Sequence, residues 1–485
     1  MYHISDIKRF MHCERYYFYS KNESNTFKPY LRSDESINDL LIKYLCKNEP
    51  CFIGVKNDTN EHFINEKSNY NWFSHPRFVD EELRINIPFL HKIDDKFDIY
   101  DMYFVYYGTQ IRDIDYVTYS VSLSVFRKLG YEVDNIYLVY LNENYVSNGI
   151  IDASKLFMVT DRFKDYTIKQ FVEHKKFSYE SYLELLSNST IDNYPSKKCK
   201  YCRQNGLCEF YPKCFENEET IDNDSILTLV SSKYKNDMYE QGIKYLKDVD
   251  VEKLEGNRVQ YAQVVASKNG GLFIDKLALG DFIDKLSVRP ISFIDFEWDR
   301  YLVPPYINMK PLDVLCFEFA LYYIDENGKM EHRTFVGTGD CRKEFIEAMI
   351  MYLPKSGPIL AYNAEGAEKL RLKELGDMYP EYKEYLDSVI DRFVDLATPF
   401  IDGMIYDTRM QGNYTLKKLV DICSDYSYSD LDIYDGMEAV YNWRNADRGS
   451  KDSEEIVSNL IEYCSLDAYG LFLVYKWLIE LLLEP

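Results

Sequence analysis

The chain has 485 residues, 46% of them apolar and 16% aromatic, and a formal net charge of −23. That length predicts two or three domains with ample core, and the apolar content excludes an intrinsically disordered chain. The acidity excludes a general nucleic-acid coat, because sequence-independent binding needs clustered Lys and Arg to displace counterions from phosphate. It leaves room for a nucleic acid gripped locally and for divalent metals gathered by acids.

The opening sequence, MYHISDIKRF, lacks the apolar run of a signal peptide. Eleven cysteines in such a chain predict a reducing, cytoplasmic setting, where cysteine clusters bind metal more often than they form disulfides. Residues 1–214 run from an opening helix to a cysteine cluster. Within them, 96–107 (KFDIYDMYFVYY) predicts a strand, 121–129 a helix and 135–141 (NIYLVYL) a further strand. Residues 215–224 (FENEETIDND) are acidic with no apolar period and predict a linker. Residues 225–285 predict a helical connector, with helices over 239–254 and 273–286.

From 286 onward strand and helix alternate. Strands are predicted at 291–297 (ISFIDFE), 314–324, 333–336 and 358–362. Helices are predicted at 344–352, 364–375, 416–422 and 456–483. This is an α/β pattern with a mixed sheet. The most apolar stretch, 469–483, is interrupted by Lys476 and Glu480 at helical spacing, so it predicts an amphipathic closing helix and no membrane span. The chain has no internal repeat, no Gly-rich phosphate loop, no G-x-S-x-G and no histidine pair at i,i+4, which sets aside NTPase and serine-hydrolase chemistry.

Asp295 and Glu297 stand two apart on a predicted strand, so both carboxylates face the same side. Two like charges on one buried face repel unless a cation lies between them. Tyr463 and Asp467 stand four apart on the terminal helix, one turn from each other on one face. Between them, Tyr362-Asn363-Ala364-Glu365-Gly366-Ala367-Glu368 marks a strand end entering a helix, and Asp395 follows Arg392-Phe393-Val394. About three Asp-x-Glu pairs are expected by chance in a chain of this composition, so the order of the motifs carries more weight than any one of them.

That order, Asp-x-Glu on a first strand, an acid at a strand–helix junction, then Tyr-x3-Asp on a late helix, resembles the DnaQ-like 3′–5′ exonucleases of the ribonuclease H-like superfamily, in the subclass with four acids and a tyrosine (DEDDy). The stretches RPISFIDFEW (289–298), ILAYNAEGAEKLRLKEL (359–375), RFVDLATPF (392–400), NYTLKKL (413–419) and IEYCSLDA (461–468) further resemble an uncharacterised bacterial family. That family fuses an iron–sulfur, RecB-like (PD-(D/E)XK-type) nuclease module to such an exonuclease domain. The resemblance implies a RecB-like module over 1–214, a connector over 215–285 and a ribonuclease H-like exonuclease domain over 286–485. It assigns Asp295 and Glu297 to the first motif, Glu368 to the second, and Tyr463 and Asp467 to the third. The second motif departs from the family pattern, because Ala367 stands where an aromatic residue is usual and glutamate where aspartate is. Glu365 is a rival for that position, and Asp395 is a further candidate for the fourth acid.

The chemistry implied is two-metal hydrolysis of nucleic-acid phosphodiesters, with Mg²⁺ or Mn²⁺ clamped by all-oxygen ligands. Asp295 would bridge the ions, Glu297 and Asp467 would complete the water-bearing site, and Tyr463 would orient the attacking water. The substrate implied is single-stranded DNA or RNA, delivered with or without a protein partner.

Cys199-x2-Cys202-x5-Cys208 arises by chance in about 0.006 of chains of this composition, and Cys214 follows Cys208 after a further gap of five residues. Spacing alone admits a zinc site from Cys199, Cys202, Cys208 and Cys214. The resemblance to iron–sulfur RecB-like nucleases implies instead a [4Fe–4S] cluster that recruits Cys13 from an early helix. A RecB-like active site also needs an aspartate on one strand, with Asp98 or Asp101 the candidate, and Glu-x-Lys on the next. The segment 108–128 has no glutamate, and Glu173-His174-Lys175 comes too late, so this active site is expected to be lost. Lys197, Lys198, Lys200, Arg203, Lys369, Arg371 and Lys373 are candidate phosphate contacts. The leading reading is thus an exonuclease with an iron–sulfur accessory module. Its alternatives are a non-catalytic nucleic-acid-binding or assembly protein and a nuclease gated by the redox state of its cluster.

Overall fold

The computed structural model describes residues 1–22, 36–47, 49–106, 113–161, 178–188, 208, 210, 213–214, 221–254, 256–428, 431–433, 435–447, 449 and 453–483. Two units separate by their contacts, Met1–Cys199 with Tyr301–Asp313, and Lys200–Arg300 with Val314–Pro485. Both are mixed α/β. Among the described residues no helix is long and apolar enough to cross a membrane.

The first unit is built on a six-stranded mixed sheet in the order Cys51–Ile53, Trp72–Ser74, Phe89–Ile93, Lys96–Tyr106, Glu132–Leu141, Phe157–Asp161. Lys96–Tyr106 pairs antiparallel with Phe89–Ile93 and parallel with Glu132–Leu141, and the helix Asp113–Lys128 makes the crossover between the parallel pair. The helix expected over 121–129 is present and starts earlier, at Asp113, and the strand expected over 135–141 lies within Glu132–Leu141. The hairpin partner of Lys96–Tyr106 is the strand before it, Phe89–Ile93.

In the second unit we number β1 (Ile291–Arg300), β2 (Val314–Ile324), β3 (Met330–Val336), β4 (Ile359–Ala361) and β5 (Phe393–Asp395), which form one sheet in the order β3-β2-β1-β4-β5. β1 is central, antiparallel to β2 and parallel to β4. Six of the unit's helices are numbered α1 (Arg342–Tyr352), α2 (Glu368–Met378), α3 (Lys383–Ile390), α4 (Leu416–Cys423), α5 (Gly436–Asp447) and α6 (Ser453–Leu483). Alternation along β1 divides its side chains between two layers. Ile294 and Phe296 enter a core with Phe345 and Met349 of α1 and Leu372 of α2. On the other face Phe293 meets Phe472 and Tyr475 of α6. Asp295 and Glu297 share that second face, so the period of two delivers both carboxylates to the terminal helix.

The strands and helices expected at 291–297, 314–324, 333–336, 344–352, 416–422 and 456–483 are present, with β1 running on to Arg300. The helix expected from 364 starts only at Glu368, because Asn363 takes a left-handed φ of 59° and a turn fills the gap. The segment 239–254 is not one helix. Gly242 sits at φ 92°, and short turns at Leu246–Asp248 and Val251–Lys253 follow it. The start of 273–286 is a strand, Leu272–Ile274, paired antiparallel with Ile405–Asp407, before the helix Lys276–Asp284. α3, β5 and α5 had no clear signature in the sequence.

α6 presents Leu460, Tyr463, Cys464, Asp467, Ala468, Gly470, Leu471 and Val474 as one buried stripe. A methyl group at Gly470 would stand 2.9 Å from Val420 Cγ2 of α4 and 3.4 Å from the Tyr428 hydroxyl. Gly470→Ala should therefore overpack the α4–α6 contact and destabilise this unit by about 1–3 kcal/mol. Urea unfolding followed by tryptophan fluorescence checks this, since Trp298, Trp443 and Trp477 all belong to this unit; an unchanged midpoint would contradict it.

Candidate metal centre

Carboxylate oxygens of Asp295, Glu297 and Asp467 all lie within 4.8 Å of one another. The first two come from the central strand and the third from α6, 170 residues later. Glu297 and Asp467 are buried, while Asp295 is half-buried. The β1–β2 pairing slips by one residue just after Glu297, so Glu297 faces Glu318 while Trp298 faces Cys316. Such a bulge re-aims the side chains beside it. Asp299, next on the same face, is held by Arg444 of α5 through bonds of 2.6 and 2.8 Å. That ion pair fixes α5 with its first residue, Gly436, against Glu297, whose Oε2 lies 3.3 Å from where a Gly436 Cβ would stand. The positive end of α5 therefore abuts the Glu297 carboxylate.

Asp467 is the best-supported acid. The Tyr428 hydroxyl donates to its Oδ1 at 2.6 Å. The Tyr463 phenol, one turn earlier on α6, also acts on it, as does the Lys417 ammonium, 4.9 Å above both tyrosine rings. Burial raises the Asp467 carboxyl, and these groups hold it back. Burial also lifts the Tyr463 and Tyr428 phenols far above their ordinary range, with the neighbouring acids adding to it, so both keep their protons. Asp295 is raised well above the usual carboxylate range by burial and by the charges of Asp467 and Glu297, against a bond from the Cys464 thiol at 3.7 Å. Glu297 is raised by burial and then chiefly by Glu318.

Glu368, at the start of α2, is 2% exposed, and its Oε2 has no hydrogen-bond partner among the described residues. Burial pushes it up to about 8, with Asp395 adding to it, and its charge is felt at Asp295 and Glu297. It lies beside the three-carboxylate group and outside its 4.8 Å circle. Asp395 is differently employed, because its Oδ1 accepts the backbone N–H groups of Asn363 and Ala397, both at 2.9 Å, and so pins the left-handed turn before α2. Glu365 is exposed and pairs with Lys369. Arg371 pairs with Glu374 at 3.1 Å and stacks over Trp298.

The sequence reading did not single out Glu318, Tyr428 or Lys417. Glu318 had a signal, since it is the one charged residue in the apolar strand β2. Tyr428 had none, as one of 45 tyrosines.

In the first unit Asp98 is buried, accepts a bond from Asn135 at 2.9 Å, and is raised by its burial. Asp101 is half-buried, with Oδ1 on its neighbour's N–H. Cys13 is buried between the helices Ile4–His12 and Glu14–Asn22. Cys199, Cys202, Lys197, Lys198, Lys200, Arg203 and residues 173–175 lie outside the described residues, whereas Cys208 and Cys214 are within them.

A family model described as a domain of unknown function, DUF2779, matches residues 292–415. The matched stretch holds Asp295, Glu297, Glu318 and Glu368, and stops before Lys417 and α6. No curated protein and no solved structure matches the chain.

Electrostatics shows what the group is suited to hold. At an effective dielectric of about 20, two carboxylates under 4.8 Å apart repel by about 3 kcal/mol or more, so three such pairs rival the whole stability of a domain. The acids must therefore be protonated or share a cation, and an all-oxygen set suits Mg²⁺ or Mn²⁺. A carboxyl raised in the folded state stabilises fully below its unfolded value near 4, and that stabilisation is lost as pH climbs through the folded value. For Glu318 and Glu368 the folded value is about 8. The metal-free protein should thus unfold at falling temperatures from pH 5 to pH 9, and Mn²⁺ should restore much of the loss at pH 8 and little at pH 5. Differential scanning fluorimetry checks this; a flat or rising profile without metal would contradict it.

Proposed function

We propose that the second unit is a divalent-metal-dependent 3′–5′ exonuclease acting on single-stranded nucleic acid. The observation that carries the proposal is the meeting of Asp295, Glu297 and Asp467 from a central strand and a terminal helix, with Tyr463 one turn from Asp467. The strand order β3-β2-β1-β4-β5, with the acid-bearing strand in the middle, supports the ribonuclease H-like reading that the motif order suggests.

Asp295, Glu297 and Asp467 would hold Mg²⁺ or Mn²⁺, with Glu368 beside them. Ions bound there supply a polarised scissile phosphate and a water acidified toward neutrality. The residues of the chain do the rest. Tyr463 keeps its proton at working pH, so its phenol can orient the attacking water without ionising. Tyr428 and Lys417 favour the anionic form of Asp467 against the burial that raises its carboxyl. Asp395 fixes the turn that aims Glu368 inward.

The first unit fits an accessory role. After the strand that carries Asp98 and Asp101, neither the helix Asp113–Lys128 nor the strand Glu132–Leu141 offers the Glu-x-Lys that a RecB-like nuclease would need. Cys199, Cys202 and Cys208, with Cys13 or Cys214 as the fourth, would hold a [4Fe–4S] cluster or zinc. Assays of iron, acid-labile sulfide and zinc on purified protein separate the two.

The test is degradation of 5′-labelled single-stranded DNA and RNA with Mg²⁺ or Mn²⁺. Wild type should give a one-nucleotide ladder from the 3′ end, and Asp295→Ala none. Tyr463→Phe should slow the reaction roughly 100-fold. Asp395→Asn keeps an oxygen for both N–H groups and should retain most activity, whereas Glu368→Gln should lose it. A ladder that persists in Asp295→Ala, or none from any metal-loaded preparation, overturns the proposal.

A further inference from the structure

Glu318 stands in the middle of β2, in the run VLCFEFALYY, and is 1% exposed. Neither of its carboxylate oxygens has a hydrogen-bond partner among the described residues. A buried carboxylate with both oxygens unmet is costly, because it has lost its water and gained no donor. Two features of the fold say where those oxygens face. Glu318 is the direct ladder partner of Glu297, so the two side chains share one face of the sheet. Two residues further along the same face, Ala320 packs against Cys464 and Ala468 of α6, which bracket the turn carrying Asp467. The charges that Glu318 meets are those of Glu297 and Asp467.

Opposed glutamates on neighbouring strands repel, and this pair is buried beneath a helix that adds a third acid. Other acids of the site have partners in the chain. Asp467 has two phenols and Lys417, Asp295 has the Cys464 thiol, and Glu297 has the end of α5. Glu318 has none of these.

We propose that Glu318 adds a further carboxylate to the metal centre from the sheet side, beside its ladder partner Glu297 and outside the 4.8 Å group of Asp295, Glu297 and Asp467. The inference rests on the metal-centre reading above and goes beyond the motif residues, which do not include β2. The unused oxygens are hard donors of the kind Mg²⁺ and Mn²⁺ prefer. The added negative charge would tighten binding of a free ion before any substrate phosphate arrives.

The experiment is a Mn²⁺ titration of the metal-free full-length protein, read by the electron paramagnetic resonance signal of free Mn²⁺, with no nucleic acid present. Wild type, Glu318→Gln, Glu318→Asp and Asp295→Ala are compared, each checked for fold by circular dichroism. Glu318→Gln keeps the shape and removes the charge, and should weaken Mn²⁺ binding about tenfold or more. Glu318→Asp keeps the charge but withdraws the oxygens by one methylene, and should also weaken it, so it carries the comparison if the Gln variant fails to fold. Wild-type affinity in the folded Glu318 variants, with binding lost in Asp295→Ala, overturns the role of Glu318 and leaves the metal centre standing. No Mn²⁺ uptake by wild type overturns both.

Discussion

The close packing of α6 across β1 and β2 is the constraint on which the second unit depends. Small residues make it possible, with Cys464 and Ala468 on the helix and Ala320 beneath. At that spacing Asp467 cannot avoid Asp295 and Glu297, and water cannot solvate the three charges separately. A fold that wanted only stability would place apolar groups there, because a buried like-charge cluster opposes folding at neutral pH. Its retention inside an otherwise apolar layer is the main physical argument that the cluster is meant for a cation.

The surroundings divide the acids into two kinds. Asp467 is tethered by Tyr428 and faced by Tyr463 and Lys417, and Asp299 is tethered by Arg444, so both are fixed before any ligand arrives. Among the described residues Glu318 and one oxygen of Glu368 lack such partners, and both acids are driven toward neutrality by burial. A preorganised half and an unsatisfied half together describe a site that is rigid in shape but incomplete in charge.

Much of this half of the chain was legible because its signals are local. Asp295 and Glu297 two apart in ISFIDFE imply one face of a strand, and Tyr463 and Asp467 four apart imply one face of a helix. That the two faces meet is a tertiary fact, reached in advance only through the order of motifs. The turn at 364–367 reads as helix in the sequence, because a left-handed Asn363 leaves little trace beyond the asparagine itself. The first unit was harder, because its hairpin order depends on which strands pair, and the run of 96–106 looks the same as the first or second strand of a hairpin. Lys417 and Tyr428 act through space alone, with no spacing to mark them.

The central claim is that the buried carboxylates of β1 and α6 form a divalent-metal site. The most direct test is anomalous diffraction at the manganese absorption edge from crystals of the full-length protein soaked in Mn²⁺. The account predicts a peak within coordination distance of Asp295, Glu297 and Asp467. A well-ordered site with no peak there, its acids filled by protons or by side chains of the protein instead, would contradict it.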